Sequence, residues 1–148
     1  MIRRRAIAVV AALIVLFTQR TGAQSSRTFK ARLSAVPVAA FSANVVGTGA
    51  VTATLSGTKL TVNGTFDGLA TPATVARIHK SPKPGIRGPA LFDLTVTKGT
   101  SGTITGTFDL TAAQVQEVSQ GRYYVQLHSE KAPDGNLWGW LLAPENRR

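Results

Sequence analysis

YYVQLHSEKAPDGNLWGWLL (residues 123–142) contains the clearest fold signal in the chain. Apolar or small residues recur at every second position on both sides of Pro133-Asp134-Gly135, and a period of two indicates β-strands. The positions predicted to face inward are Tyr123, Val125, Leu127, Leu137, Gly139 and Leu141. Proline, aspartate and glycine in succession favour a turn. We therefore predict a closing β-hairpin that pairs residues 122–128 with residues 136–142 across a turn at residues 133–135.

The other face of this hairpin supplies most of the candidate binding surface. Successive side chains of a strand point to opposite faces, and a second strand with Ile78 facing inward directs its neighbours outward. The predicted surface residues are Arg77, His79, Tyr124, Gln126, His128, Trp138 and Trp140. An exposed face rich in aromatic residues indicates binding more strongly than buried aromatics do. The alternative is that both tryptophans only pack against other parts of the chain, since they bury a large apolar area.

Three further stretches alternate in the same way and predict antiparallel strands with one solvated face. They are LTVNGTF (residues 60–66), ALFDLTV (residues 90–96) and TITGTFDL (residues 103–110). Turn residues separate them, and strands at this spacing are typical of a β-sandwich or barrel. Thr111 and Gln114 have the spacing of a capping box, which predicts a helix from Ala112 to Val118 that stops before Gly121. We predict an all-β fold: an antiparallel β-sandwich with one short connecting helix.

The first 23 residues have the pattern of a secretory signal peptide. A basic MIRRR start precedes twelve apolar residues, AIAVVAALIVLF (residues 6–17), and small residues follow up to Ala23. This order predicts cleavage after Ala23. The alternative, a membrane anchor, needs a longer apolar stretch of about 20 residues. We therefore expect a secreted or periplasmic protein whose residues 24–148 form a single domain, with no stable membrane span after cleavage.

Cysteine content and charge limit the classes of partner. The chain has no cysteine, which excludes disulfides, thiol catalysis and thiolate metal sites. Four of the 17 lysine and arginine residues leave with the signal peptide, so 13 remain against seven acidic residues and the net charge is +6. A basic surface favours anionic partners, although scattered charges also serve solubility alone. We expect an extracellular or periplasmic protein or a polysaccharide as partner. Nucleic acid is not expected, because the protein is exported and contains no recognisable nucleic-acid-binding module.

The two histidines are the candidate metal ligands. His79 and His128 suggest copper or zinc in an exported protein without cysteine. Two ligands are fewer than the three or four that zinc takes from proteins, and nothing in the spacing selects a carboxylate from Asp93, Glu130 and Asp134 to complete the set. No catalytic residue is predicted, because the chain lacks Gly-x-Ser-x-Gly, a phosphate loop and His-Glu-x-x-His.

Residues 29–142 resemble a CHRD domain, the module named after chordin that also occurs in exported bacterial proteins. The segments that support the resemblance are FKARLSAVPVAA, LTVNGTFDGLATPATVARIH, KPGIRGPALFDL and GTFDLTAAQVQEVSQGRYYVQLHSEKAPDGNLWGWLL. The last is the most specific, with a Leu-Thr-Ala-Ala-Gln helix start, a glycine, a Tyr-Val strand ending in histidine, a Pro-x-Gly turn and a strand of small residues. The resemblance implies an immunoglobulin-like or superoxide-dismutase-like Greek-key sandwich and, in animals, extracellular binding to growth factors.

The chain departs from the family pattern at the candidate site. Members often have His-x-His where this chain has Arg77-Ile78-His79, and Asn-x-His where it has Gln126-Leu127-His128. They often have an arginine before the glycine of the final strand, where this chain has Trp138. The family layout is also similar to that of copper–zinc superoxide dismutase, and the missing first histidine weakens the case for such a metal site here. The leading prediction is an exported, non-enzymatic binding module of the CHRD type. The alternative is a copper- or zinc-binding protein that uses His79 and His128, with or without redox activity.

Overall fold

The computed structural model describes residues 25–146, which fold as eight β-strands and one α-helix. The strands are β1 (Ser26–Ala35), β2 (Thr48–Ser56), β3 (Lys59–Asp67), β4 (Ala73–Lys80), β5 (Ala90–Val96), β6 (Gly102–Asp109), β7 (Tyr123–Ser129) and β8 (Ala132–Trp140). Helix α1 (Ala112–Ser119) lies between β6 and β7, and a 3₁₀ turn (Pro144–Asn146) follows β8. The predicted signal peptide, residues 1–23, lies outside the described residues. No helix within the described range is long and apolar enough to cross a membrane.

The strands form one closed antiparallel barrel in the order β1-β2-β3-β6-β5-β4-β7-β8. The barrel closes where β1 pairs with β8, with Ser34 opposite Trp138. The backbones of Lys30 and Leu142 exchange hydrogen bonds of 2.9 and 3.1 Å at the same seam. The predicted β-sandwich, immunoglobulin-like or superoxide-dismutase-like, is therefore wrong, because there is one closed sheet and not two open ones. Alternation predicts one buried face in either architecture, and only the pairing of distant strands decides between them.

Two connections cross over other strands. β4, β5 and β6 are consecutive neighbours, whereas β3 lies beside β6 and β7 lies beside β4, which are Greek-key arrangements. The crossover from β6 to β7 contains α1, and its predicted capping box is confirmed. The Thr111 hydroxyl accepts a hydrogen bond from the Gln114 backbone (3.2 Å), and the Gln114 side chain accepts one from the Thr111 backbone (2.8 Å). Gly121, with φ of +72°, follows the helix as predicted.

One apolar cluster, with side chains from every strand, fills the barrel. The predicted inward set is confirmed, because its large members are fully buried: Tyr123, Val125, Leu127, Leu137 and Leu141. Burying one such aliphatic side chain stabilises the fold by about 1.5–3 kcal/mol. The outer face of β2, β3 and β6 is polar, and Thr54, Thr61 and Thr107 form a cross-strand row on it. The period of two therefore separates core from surface on this side of the barrel.

The closing hairpin forms, but its turn lies at a different place from the predicted one. Strands β7 and β8 pair in antiparallel register, and the turn is residues 130–131. The predicted turn, residues 133–135, lies inside β8, opposite a register shift in β7. Its glycine is required by a close contact: Gly135 has φ of +129°, and a Cβ there would lie 2.3 Å from the side-chain nitrogen of Gln126. The turn-like composition thus marks a strand irregularity.

Candidate functional site

Six of the seven predicted surface residues lie in two adjacent rows across β4, β7 and β8. The rows are His79–Tyr124–Trp140 and Arg77–Gln126–Trp138. The seventh residue, His128, lies opposite Val75, one row further along β7. Neighbouring strands therefore bring residues that are far apart in the chain onto one outer face.

Four rings pack together on this face and form what we call the aromatic patch: His79, Tyr124, Trp138 and Trp140. Tyr124 stacks on both His79 and Trp140, with ring centroids 4.9 Å apart in each pair. Trp138 meets Tyr124 at 5.9 Å and Trp140 at 4.7 Å in edge-to-face contacts. Each favourable aromatic pair contributes about 0.5–1.5 kcal/mol beyond its area burial. The patch is therefore a preformed surface whose geometry is maintained by its own packing.

The β4–β5 loop, residues 81–89, covers part of the aromatic patch. The Tyr124 hydroxyl accepts a hydrogen bond from the Gly88 backbone N–H (3.0 Å) and lies 3.2 Å from the Gly88 carbonyl, to which it can donate. The Arg87 guanidinium lies 5.4 Å from the ring centroid of Trp138, in cation–π geometry. The loop is thus fastened to the outer face of β7 and β8.

This coverage changes the exposure that alternation predicts. Tyr124 and Gln126 point away from the core but are only 1% and 3% exposed, so the expectation that these two are exposed is wrong. The other five predicted surface residues are partly exposed. Sequence reasoning missed Arg87, because the proline- and glycine-rich composition of its loop indicates a turn but not the strands over which the loop folds.

Arg77 and Gln126 each donate a hydrogen bond to a residue of a neighbouring strand. Arg77 Nε donates to the Asp93 carboxylate on β5 at 2.7 Å, and an ion pair as exposed as this one contributes about 0–1 kcal/mol. Gln126 Nε2 donates to the Asp134 carbonyl on β8 at 3.0 Å. Both side chains therefore join neighbouring strands of the face.

Both histidines donate from Nδ1 to a backbone carbonyl: His79 to Gly88 (3.0 Å) and His128 to Pro133 (2.7 Å). A carbonyl only accepts, so in the neutral rings Nδ1 carries the hydrogen and Nε2 does not. Both Nε2 atoms are buried and have no hydrogen-bond partner in the described part of the chain. Burial lowers the pKa of His79 below its ordinary value of 6.5. The bond to Gly88 opposes this shift, and repulsion from His128 and two arginines adds to it.

The two histidines do not lie together. His79 is opposite Tyr124 and His128 is opposite Val75, so four residues of β4, about 14 Å at about 3.4 Å per residue, separate their levels. Within residues 25–146, no group of three or more histidine, aspartate and glutamate side chains is placed to hold a metal ion. Zinc takes three or four ligands from proteins. The residues present therefore do not fit the copper or zinc site considered from the sequence.

A second cluster of titratable groups, which sequence reasoning missed, holds α1 against the sheet. The Tyr123 hydroxyl donates to one carboxylate oxygen of Glu117 (2.9 Å), and the Lys80 ammonium pairs with the other. The hydrogen bond from Lys80 lowers the pKa of Glu117, and burial raises the pKa of Tyr123. Glu117 is thus an ionised acceptor and Tyr123 a neutral donor. The role of these contacts is to stabilise the fold. Its members come from three elements, and no sequence spacing indicates it.

Fold and surface together define the class of this protein: a closed antiparallel β-barrel that presents an aromatic patch on its outer face. The chain belongs to the CHRD domain family, because the family's sequence profile matches residues 29–141, most of the chain. The resemblance drawn from the sequence is thereby confirmed, and membership suggests a binding or interaction module. No curated protein and no solved structure was found to match the chain.

Proposed function

We propose that this chain is an exported, non-enzymatic binding module that contacts an extracellular or periplasmic macromolecule through the aromatic patch. The observation that supports it best is the partial exposure of Trp138 and Trp140, which pack edge to face at 4.7 Å on an outer face. Tryptophan offers a large contact area with little loss of side-chain freedom, and it is enriched where binding energy concentrates.

The surroundings of the patch suit the same role. Buried Tyr124 supports both tryptophans from one side, and the fastened β4–β5 loop limits their movement. A surface that is rigid before binding loses less entropy when it meets its partner. The arrangement is an apolar centre with a polar margin, which is the usual anatomy of a binding surface.

Two parts of the proposal rest on the sequence. Export rests on the signal-peptide pattern of residues 1–23. The non-enzymatic character rests on the lack of a nucleophile, phosphate-loop or zinc-protease motif in the chain.

The test is the binding of fluorescently labelled protein to isolated cell envelopes of the source organism, measured by co-sedimentation. Trp138→Leu removes one ring of the patch and keeps an apolar side chain. Phe41→Leu is the matched control, because Phe41 is 92% exposed in the connection between β1 and β2. We expect saturable binding that Trp138→Leu weakens by about tenfold or more and that Phe41→Leu leaves unchanged. Saturable binding that is equal for both variants, or no saturable binding at all, contradicts the proposal.

A further inference from the structure

We propose, building on the binding function above, that the aromatic patch and the cations beside it take an acidic polysaccharide, a chain of sugar rings with carboxylate groups. The cations, which we call the cationic rim, are Lys30, Arg32 and Arg87.

Two members of the rim, Lys30 and Arg32, lie on β1, the strand that pairs with β8. Lys30 and Arg32 are exposed, while their neighbours in the strand face the core. Ser34 pairs with Trp138, and Lys30 pairs with Leu142. Arg32 is midway between Ser34 and Lys30 in β1, so it lies opposite Trp140. Side chains directly opposite each other on one face of an antiparallel pair are close neighbours. Arg32 therefore lies next to Trp140 on the outer face.

The third member approaches from the other side of the patch. Arg87 lies over Trp138 and donates from Nη1 to the Asp134 carbonyl at 3.3 Å. This contact anchors the guanidinium above β8 without neutralising its charge. The two tryptophans are thus flanked by arginine from β1 on one side and from the β4–β5 loop on the other.

Within residues 25–146, no acidic side chain pairs with the rim. The ion pairs of the described residues use Lys59, Arg77 and Lys80, and none of the three rim cations takes part in one. Arginine binds carboxylates through two parallel hydrogen bonds. Complementary charge steers and selects the partner of a surface. The rim therefore favours an anionic ligand over a neutral or cationic one.

The shape of the adjoining surface favours a chain of sugar rings. A shallow depression of about 510 Å³ extends from Arg32 across Gly49, Ala50 and Thr65 to Asp67 at its far edge. Small side chains leave room there for an extended polymer beside the tryptophans. Sugar rings have apolar faces and hydroxyl edges, which match indole rings and threonine hydroxyls respectively. The single carboxylate of Asp67 lies at the end of the depression away from the patch.

The test compares two polymers with the same backbone. Purified protein is titrated calorimetrically with polygalacturonate and with highly methyl-esterified polygalacturonan, in which the carboxylates are neutralised. We expect saturable binding to the acidic polymer, at least about tenfold weaker binding to the ester, and weakening as salt rises from about 0.05 to about 0.5 M.

Variants locate the binding surface. The double variant Lys30→Gln and Arg32→Gln changes two exposed side chains that make no ion pair within residues 25–146, so its fold is expected to persist. Lys131→Gln, in the turn between β7 and β8, is the control for loss of a positive charge elsewhere. We expect the double variant to bind polygalacturonate at least about tenfold more weakly, because it loses two charge-assisted contacts, and the control to bind like the wild type. A double variant that binds like the wild type overturns the inference.

The remaining outcomes separate this inference from the proposed function. Equal binding of the acid and the ester overturns the acidic ligand and leaves a binding module for neutral polysaccharide. No binding of either polymer, with envelope binding that still depends on Trp138, overturns the polysaccharide and leaves a protein or lipid partner. Envelope binding that does not depend on Trp138 removes both proposals.

Discussion

His79 and Tyr124 lie face to face, with ring centroids 4.9 Å apart and planes 17° from parallel, and both bond to Gly88. His79 Nδ1 and the Tyr124 hydroxyl thus fasten one residue of the β4–β5 loop to two neighbouring strands. This attachment brings Arg87, the residue before Gly88, to the edge of the aromatic patch. A local contact beneath the loop therefore places Arg87 beside Trp138.

The burial of His79 predicts a dependence of stability on pH. Its folded-state pKa lies below the unfolded value of 6.5, so between these two pKa values the unfolded chain binds a proton that the folded chain does not. Acidification from about pH 7.5 to about pH 5 therefore lowers the free energy of unfolding, by at most about 1.4 kcal/mol per pH unit for one proton. The decrease in the free energy of unfolding begins near pH 6.5 and ends once the pH is below the folded-state pKa of His79. Urea denaturation at a series of pH values measures it.

The control for this pH effect is the second histidine. His79→Gln is expected to remove the decrease, while His128→Gln retains most of it, because the burial of His79, the largest cause of its lowered pKa, is unchanged in that variant. The carboxylate of Glu117 has a lowered pKa, so its contribution is lost only below about pH 4.5 and stays outside the window. An undiminished decrease in His79→Gln contradicts the assignment to His79.

The Glu117 contacts predict an order among three substitutions. Glu117→Ala leaves the buried Tyr123 hydroxyl without its acceptor and is expected to lower the free energy of unfolding by about 1–3 kcal/mol. Lys80→Ala removes a partly exposed cation and costs less. Asp109→Asn, in the exposed pair with Lys59, is the control and costs about 0–1 kcal/mol. Chemical denaturation gives all three values, and a Glu117 variant no less stable than the Asp109 variant would speak against a stabilising role for the Glu117 contacts.

Closure of the barrel depends on the absence of a side chain at Gly139. A Cβ there would lie 2.3 Å from the Arg32 carbonyl oxygen, so Gly139→Ala forces β8 away from β1. We expect the free energy of unfolding to fall by about 3 kcal/mol or more, since the two nearest atoms, the carbonyl oxygen and carbon of Arg32, belong to the backbone. Hydrogen exchange of the Lys30 and Leu142 amides, which cross this seam, should accelerate in the variant.

The comparison for this variant is a glycine with a different constraint. Gly68 has φ of +73°, but the nearest atom to a Cβ there is 3.6 Å away. Gly68→Ala is therefore expected to cost only the local strain of about 1–2 kcal/mol. Equal losses of stability in Gly68→Ala and Gly139→Ala, with unchanged exchange at the β1–β8 seam, would argue for an open sheet.

The separation of the two histidines predicts the outcome of a metal titration. Calorimetry with zinc(II) and copper(II) should show no saturable binding at one equivalent, and His128→Ala should behave like the wild type. The physical reason is that His79 and His128 lie on different rows, about 14 Å apart in level. One-equivalent binding of about micromolar affinity or better that His128→Ala abolishes would restore the metal site.

Much of the fold could be predicted because its signals are local. The alternation that buries Val125 and Leu127, and the capping box formed by Thr111 and Gln114, involve residues within a few positions of each other. The predicted position of the hairpin turn is wrong because Gly135 lies inside β8, where a glycine leaves room for the Gln126 side chain. The sequence does not distinguish a glycine required by such a contact from a glycine required by a turn. The outward direction of the candidate residues was predicted, but not the loop that buries Tyr124.

The sequence by itself determined which side chains of six of the eight strands face inward, where the helix begins, and the family to which the chain belongs. The tertiary structure alone decided that β1 meets β8 to close one barrel, and that Gly88 and Arg87 lie on the face of β7 and β8. The difference has one physical cause. Side-chain direction and helix capping follow from backbone geometry over a few residues. Barrel closure and loop placement instead depend on contacts between residues far apart in the chain, whose free energies exist only once the strands have been brought together.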